Sequence, residues 1–145
     1  MRRVAALLAL PHRRKALLLR AWLANLQACA ALHVLSLDRL RAWAGHPGSG
    51  RQDLRDIVWA GQTAARYTPF STCLSGALAL QRLLSRNGHA STLHIGVARD
   101  ASDFVAHAWI ERDGTVLIGE DERLAYTTLT RWPAGDRDAG RAKAG

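Results

Sequence analysis

Tyr67-Thr-Pro-Phe-Ser-Thr-Cys73-Leu-Ser-Gly-Ala-Leu-Ala-Leu-Gln-Arg-Leu-Leu-Ser-Arg-Asn-Gly88 sets down a helix with a cysteine at its first position. Pro69 keeps the residue before it out of the helical region, Ser71 or Thr72 offers a hydroxyl to the first free N–H groups, and Asn87-Gly88 supplies a left-handed stop. The stretch predicts a helix from Cys73 to about Arg86. Unpaired N–H groups and the positive end of the helix dipole then lie beside the Cys73 sulfur and stabilise negative charge there, the setting of a nucleophilic cysteine. A lone cysteine among small and apolar residues is equally a common core residue. This stretch alone leaves the two readings level.

Beyond Gly88 the apolar period changes from about 3.6 to two. Ser91-Thr-Leu-His-Ile-Gly-Val97, Phe104-Val-Ala-His-Ala-Trp-Ile-Glu111 and Thr115-Val-Leu-Ile-Gly119 read as strands, the last two joined by a tight Asp113-Gly114 turn. A two-residue turn places Arg112 opposite Thr115, Glu111 opposite Val116, Trp109 opposite Ile118 and His107 opposite Glu120. Opposed residues share a face with Cβ atoms about 5 Å apart, so His107 acquires a carboxylate that can orient its ring as a general base. Asp121 is the alternative if a bulge exchanges the two. Val105, Trp109, Val116 and Ile118 make that face apolar, and the Cys73 helix is the natural cover, with Cys73, Ala77, Leu80 and Leu84 toward the sheet. Cysteine, histidine and acid would then meet as nucleophile, base and orienting group.

Upstream, residues 1 to about 44 read as helical with a break at Pro11. Leu19, Trp22, Leu23, Leu26, Ala30, His33 and Val34 form the packing stripe of the second helix. Ala44-Gly-His-Pro-Gly-Ser-Gly50 is a loop, and a helix from about Gln52 to Arg66 leads to the Cys73 turn. Helices followed by an antiparallel sheet make the fold class α+β. The 145-residue chain is read as a single domain over 1–132, helical over 1–66 and carrying the cysteine helix and sheet over 67–132, with a frayed tail from 133 to 145.

A composition of 48% hydrophobic and 22% charged residues is that of a globular protein. Two cysteines, Cys29 and Cys73, make neither a disulfide framework nor a metal or redox pair, and Cys29 lies in an apolar helical context. No cofactor or metal is expected. The formal net charge of +8 is concentrated in Arg2, Arg3, Arg13, Arg14, Lys15 and Arg20, ahead of the first acidic residue, Asp38. Such a cluster could contact nucleic acid, an anionic membrane or an acidic peptide, but it is read first as a solvated face that maintains solubility, and no nucleic-acid partner is expected. No aromatic residues interleave with it, which disfavours single-stranded nucleic acid. Pro11 cuts short the apolar run after Arg2-Arg3, with no cleavage site following, and Arg20, Asn25, Gln27 and His33 interrupt Ala16–Leu37. A cytoplasmic protein without a membrane span is expected.

The Cys73–Gly88 helix, Leu93-His-Ile-Gly-Val97, Ala106-His-Ala-Trp-Ile-Glu111 and Val116-Leu-Ile-Gly119 together resemble the transglutaminase-like leader peptidases of lasso-peptide biosynthesis, the B proteins in their stand-alone form. The likeness covers about Tyr67 to Leu129. It implies a papain-like cysteine peptidase fold in which Cys73 is the nucleophile, His107 the base and Glu120 or Asp121 the acid, with Glu120 preferred by the hairpin register. Backbone N–H groups near Cys73, with Gln62 as a further candidate, would receive the oxyanion. The implied reaction removes the leader of a ribosomally made precursor before an ATP-dependent macrolactam synthetase closes the ring. Residues 1–66 lack the strands of the leader-binding domain found in fused members, so a separate leader-recognition protein is implied as partner. The alternatives are a transglutaminase-type acyltransferase and, in another class, a basic adaptor for nucleic acid or membrane with Cys73 as core.

Overall fold

The computed structural model describes residues 2–119 and 126–135. Five helices come first: α1 (Arg2–Leu8), α2 (His12–Val34), α3 (Leu37–Ala44), α4 (Leu54–Tyr67) and α5 (Cys73–Arg86). Four strands follow: β1 (Ser91–Asp100), β2 (Asp103–Arg112), β3 (Thr115–Ile118) and β4 (Thr127–Ala134). The α+β class and the limits of α5 are as expected. Gly88 stops α5 at φ +78°.

Two local signals divide the amino-terminal helices where one was expected. Pro11 separates α1 from α2, and at the other end Leu35 is extended while Ser36 accepts the Arg39 N–H at 3.4 Å to begin α3. The buried face of α2 also differs from the expected stripe. Leu17, Ala21, Ala24, Asn25 and Ala28 are buried, whereas Leu19, Trp22, Leu23 and Val34 are exposed. The reason is close packing: small residues let α2 approach α4 and α5, and large side chains cannot occupy such a contact. The same closeness marks α4 against α5, where a Cβ on Gly61 would lie 2.8 Å from Leu80 Cδ1.

Helix α5 is the centre of the molecule. From Ser75 to Ser85 every residue but Arg82 is buried, against α2, α3 and α4 on one side and the sheet on the other. The sheet has the order β3-β2-β1-β4 and is antiparallel throughout. Leu93 stands between Ile110 and Trp132 across three strands, and this row with Ala108 closes the core beneath α5. Strand β4 was not anticipated as a separate element. It runs through Pro133 to Ala134 along an edge, where a proline is tolerated, and buried Gln81 of α5 donates to the Trp132 carbonyl at 2.8 Å.

The Asp113-Gly114 turn has both residues at positive φ, +51° and +77°, as a two-residue hairpin requires. Its first pairs, Arg112 with Thr115 and Glu111 with Val116, are those expected; then Ile110 pairs with Ile118. Leu117 is therefore an extra residue in β3, and its carbonyl accepts the Gln62 Nε2–H at 2.7 Å. The expected pairing of Trp109 with Ile118 is corrected by this slip. Ile118 joins Ile110 on the helix side of the sheet, leaving Trp109 on the other.

Candidate active site

Cys73 is exposed, while Cys29 is partly buried. The exposed thiol follows from a built turn. Thr68 Oγ1 donates to the Ala64 carbonyl at 2.7 Å as α4 ends, Ser71 N–H returns to the Thr68 carbonyl, and Ser71 Oγ donates to Asn25 Oδ1 at 3.1 Å. Asn25 is only 1% exposed and reaches this turn from α2, with Cys29 Sγ 3.7 Å from the same oxygen. A buried amide in an apolar helix needs partners; here they fix the approach to Cys73. Thr72 and Ser75 form a reciprocal capping box, and the Thr72 carbonyl takes the Gly76 N–H. The N–H groups of Cys73 and Leu74 have no partner among the described residues, so an oxyanion has two donors at the head of α5.

His107 sits in β2, where the alternation puts Ala108 and Ile110 under α5 and His107 and Trp109 on the opposite side. The expectation that α5 covers the His107 face is thus corrected: Ala108 and Ile110 of β2 pack beneath the helix, joined there by Ile118 across the Leu117 bulge. The His107 ring lies 4.9 Å from that of Tyr126 and 6.1 Å from that of Trp109. Gly96, paired with His107, makes room for this arrangement: a Cβ there would be 2.9 Å from Trp109 Cη2. His107 Nε2 is hydrogen-bonded to the Gly119 carbonyl. A carbonyl only accepts, so Nε2 carries the proton and the lone pair of the neutral ring is on Nδ1.

No hydrogen bond joins Cys73 to His107 among the described residues. What relates them is the end of β3. Gly76, in the first turn of α5, is close enough that a Cβ there would lie 3.7 Å from Ile118 Cδ1, and the next residue, Gly119, holds the His107 ring. Glu120 and Asp121, the two candidates for the acid, lie outside the described residues. Gln62 commits its Nε2–H to Leu117, tying α4 to β3. The Gly119 carbonyl and the Asn25 anchor were missed by the sequence reading. A single buried-polar signal, an asparagine inside an apolar helix, could have pointed to the second.

A family model described as the transglutaminase-like superfamily matches residues 6–131. The chain belongs to that superfamily. Its members are generally cysteine-based enzymes, and they include cysteine peptidases. No curated protein and no solved structure matches the chain.

In this transglutaminase-like protein a second histidine lies on the same side of the sheet. His94 is buried and stacks on Trp109 with ring centroids 5.2 Å apart and planes 4° from parallel; its Nε2 is 3.5 Å from Glu111 Oε2. Burial holds the His94 pKa below the ordinary 6.5, an effect that Glu111 opposes and Arg131 reinforces. A base whose folded pKa is depressed contributes its full stability above the unfolded value. It loses that stability as pH falls from there toward the folded value, because the unfolded chain then binds the proton first. The free energy of urea unfolding is expected to fall as the pH is lowered through the ordinary histidine value of 6.5, by no more than about 1.4 kcal/mol per pH unit for this one group. A His94→Gln chain should lose that component, and equal acid sensitivity in both chains would assign it elsewhere.

Proposed function

We propose that the chain is a cysteine peptidase that removes the leader segment of a lasso-peptide precursor before macrolactam closure. The observation that carries the reading is the exposed Cys73 thiol at the head of a buried, capped helix whose first two N–H groups have no acceptor among the described residues. Membership of a superfamily of cysteine-based enzymes supports it. With a substrate across the head of α5, His107 Nδ1 takes the Cys73 proton and the thiolate attacks the scissile carbonyl carbon. Free enzymes commonly hold such partners further apart than their substrate complexes do. The Cys73 and Leu74 N–H groups receive the oxyanion. As the tetrahedral intermediate collapses, Nδ1–H protonates the departing amine and a thioester remains. Water then gives a proton to Nδ1, attacks the thioester carbonyl and expels the Cys73 thiolate, which regains its proton. The Gly119 carbonyl holds Nε2–H throughout, so the ring presents the same nitrogen at each step.

An acid supplied by residues 120–121 would complete the orientation. Glu120 is the acid preferred by the sequence reading, so Glu120→Gln is expected to lower cleavage more than Asp121→Asn, measured as kcat/KM on one precursor. The reverse order would give the role to Asp121.

A precursor peptide, a separate leader-recognition protein and an ATP-dependent macrolactam synthetase are the partners of this reading, and the cytoplasm its setting. The superfamily also favours acyl transfer to an amine, and the products separate the two. Incubation with a lasso-type precursor, its recognition protein and methylamine, followed by mass spectrometry, is expected to yield two fragments whose sum is the precursor plus water. A dominant methylamide would replace hydrolysis with transfer. No cleavage under these conditions would end the peptidase reading.

A further inference from the structure

Helix α1 buries none of its residues. It lies beside α2 and α4 and leaves a recess of about 390 Å³, lined by Leu7, Leu10, Leu18, Leu19, Trp22 and Tyr67. A second recess, about 670 Å³, opens beyond α1 and shares Leu7, Leu10 and Tyr67. The charged residues lining the two are Lys15, Arg3 and Arg66, all basic. The nearby Asp56 is paired with Arg14 at 2.8 Å. The surface continues toward the nucleophile, because Tyr67 ends α4 and the turn to Cys73 carries Phe70, 94% exposed and at φ +62°. A bulky residue at positive φ is costly, and here it presents an aromatic ring to solvent beside the candidate site.

We infer that the recess between α1, α2 and α4 docks an acidic amphipathic helix of the peptide substrate. Its apolar side chains would enter between the helices and its carboxylates would meet Arg3, Lys15 and Arg66. That the occupant belongs to the substrate rests on the peptidase reading; the chemistry of the recess does not. A lipid surface is the less suitable partner. Side chains that enter a bilayer project outward, whereas Leu7, Leu18, Leu19 and Trp22 line a concavity.

The test uses the full Cys73→Ala chain, which binds without turnover. A fluorescein-labelled peptide with leucines at helical spacing and glutamates elsewhere is titrated by anisotropy, beside a scrambled peptide of the same composition. Saturable binding of the patterned peptide is expected, weakened by salt. Leu19→Asp and Leu8→Asp, both lining the recess at positions 55% and 69% exposed and therefore tolerant of aspartate, should each weaken it about tenfold. Leu129→Asp, an equally exposed leucine on β4, should change nothing. Equal binding of the scrambled peptide, or no effect of the two leucine variants in chains folded by circular dichroism, would overturn the inference. Binding of phosphatidylglycerol vesicles, lost in Leu19→Asp, without peptide binding would assign the recess to membrane. If the patterned peptide binds and the wild-type chain cleaves no precursor, the peptidase reading fails and the docking site stands.

Discussion

Cys73→Ala is expected to lower precursor cleavage by at least about 10⁴-fold, since a covalent mechanism without its nucleophile retains only binding and oxyanion stabilisation. The Cys73 side chain is exposed, so the same change should move folding stability by no more than about 0.5 kcal/mol. The pair of results is what distinguishes a nucleophile from a core residue. A buried structural cysteine would give the opposite pattern, with activity tracking stability. Cys29→Ala is the natural control, because the hydrogen bonds of Cys29 Sγ among the described residues go to Asn25 and the Phe70 carbonyl, and the change should leave cleavage in place. Comparable turnover in the Cys73→Ala and parent chains, measured by mass spectrometry on the same precursor, would remove both the peptidase and the acyltransferase. A basic adaptor would then remain.

His107→Ala is expected to cost about 10²- to 10⁴-fold in kcat/KM, the usual contribution of a positioned general base. The loss should appear mainly in kcat, because the ring acts on the thiol and the leaving amine and holds little of the peptide. Removing it also empties the space beside Tyr126 and Trp109, so thermal unfolding must be followed in parallel. Added imidazole should restore part of the activity. His94→Gln provides the contrast, leaving cleavage in place while changing acid stability. Should His94→Gln abolish cleavage and His107→Ala preserve it, the base would be His94, with Glu111 at 3.5 Å as its acid.

Much of this architecture was legible because its determinants are local. Thr72 and Ser75 cap α5, Asn87-Gly88 ends it, and Asp113-Gly114 makes the hairpin, each through contacts within a few residues of chain. The buried face of α2 was less legible. Periodicity weights large apolar residues, and this helix packs through Ala21, Ala24 and Ala28 while leaving Leu19, Trp22 and Leu23 outside. The opposition of Trp109 to Ile118 rested on an uninterrupted ladder. One extra residue at Leu117, held by a hydrogen bond from Gln62 far away in sequence, broke that count.

Sequence by itself therefore determined that helices precede the sheet, the start of α5 at Cys73 and the turn that sends β2 into β3, because capping and backbone preferences act over single turns. Tertiary structure alone decided which side of the sheet α5 covers, where β3 bulges, and that the His107 ring meets a main-chain carbonyl. Those outcomes depend on how closely helices can pack and on which distant amide reaches a strand, and neither is written in any one stretch of chain.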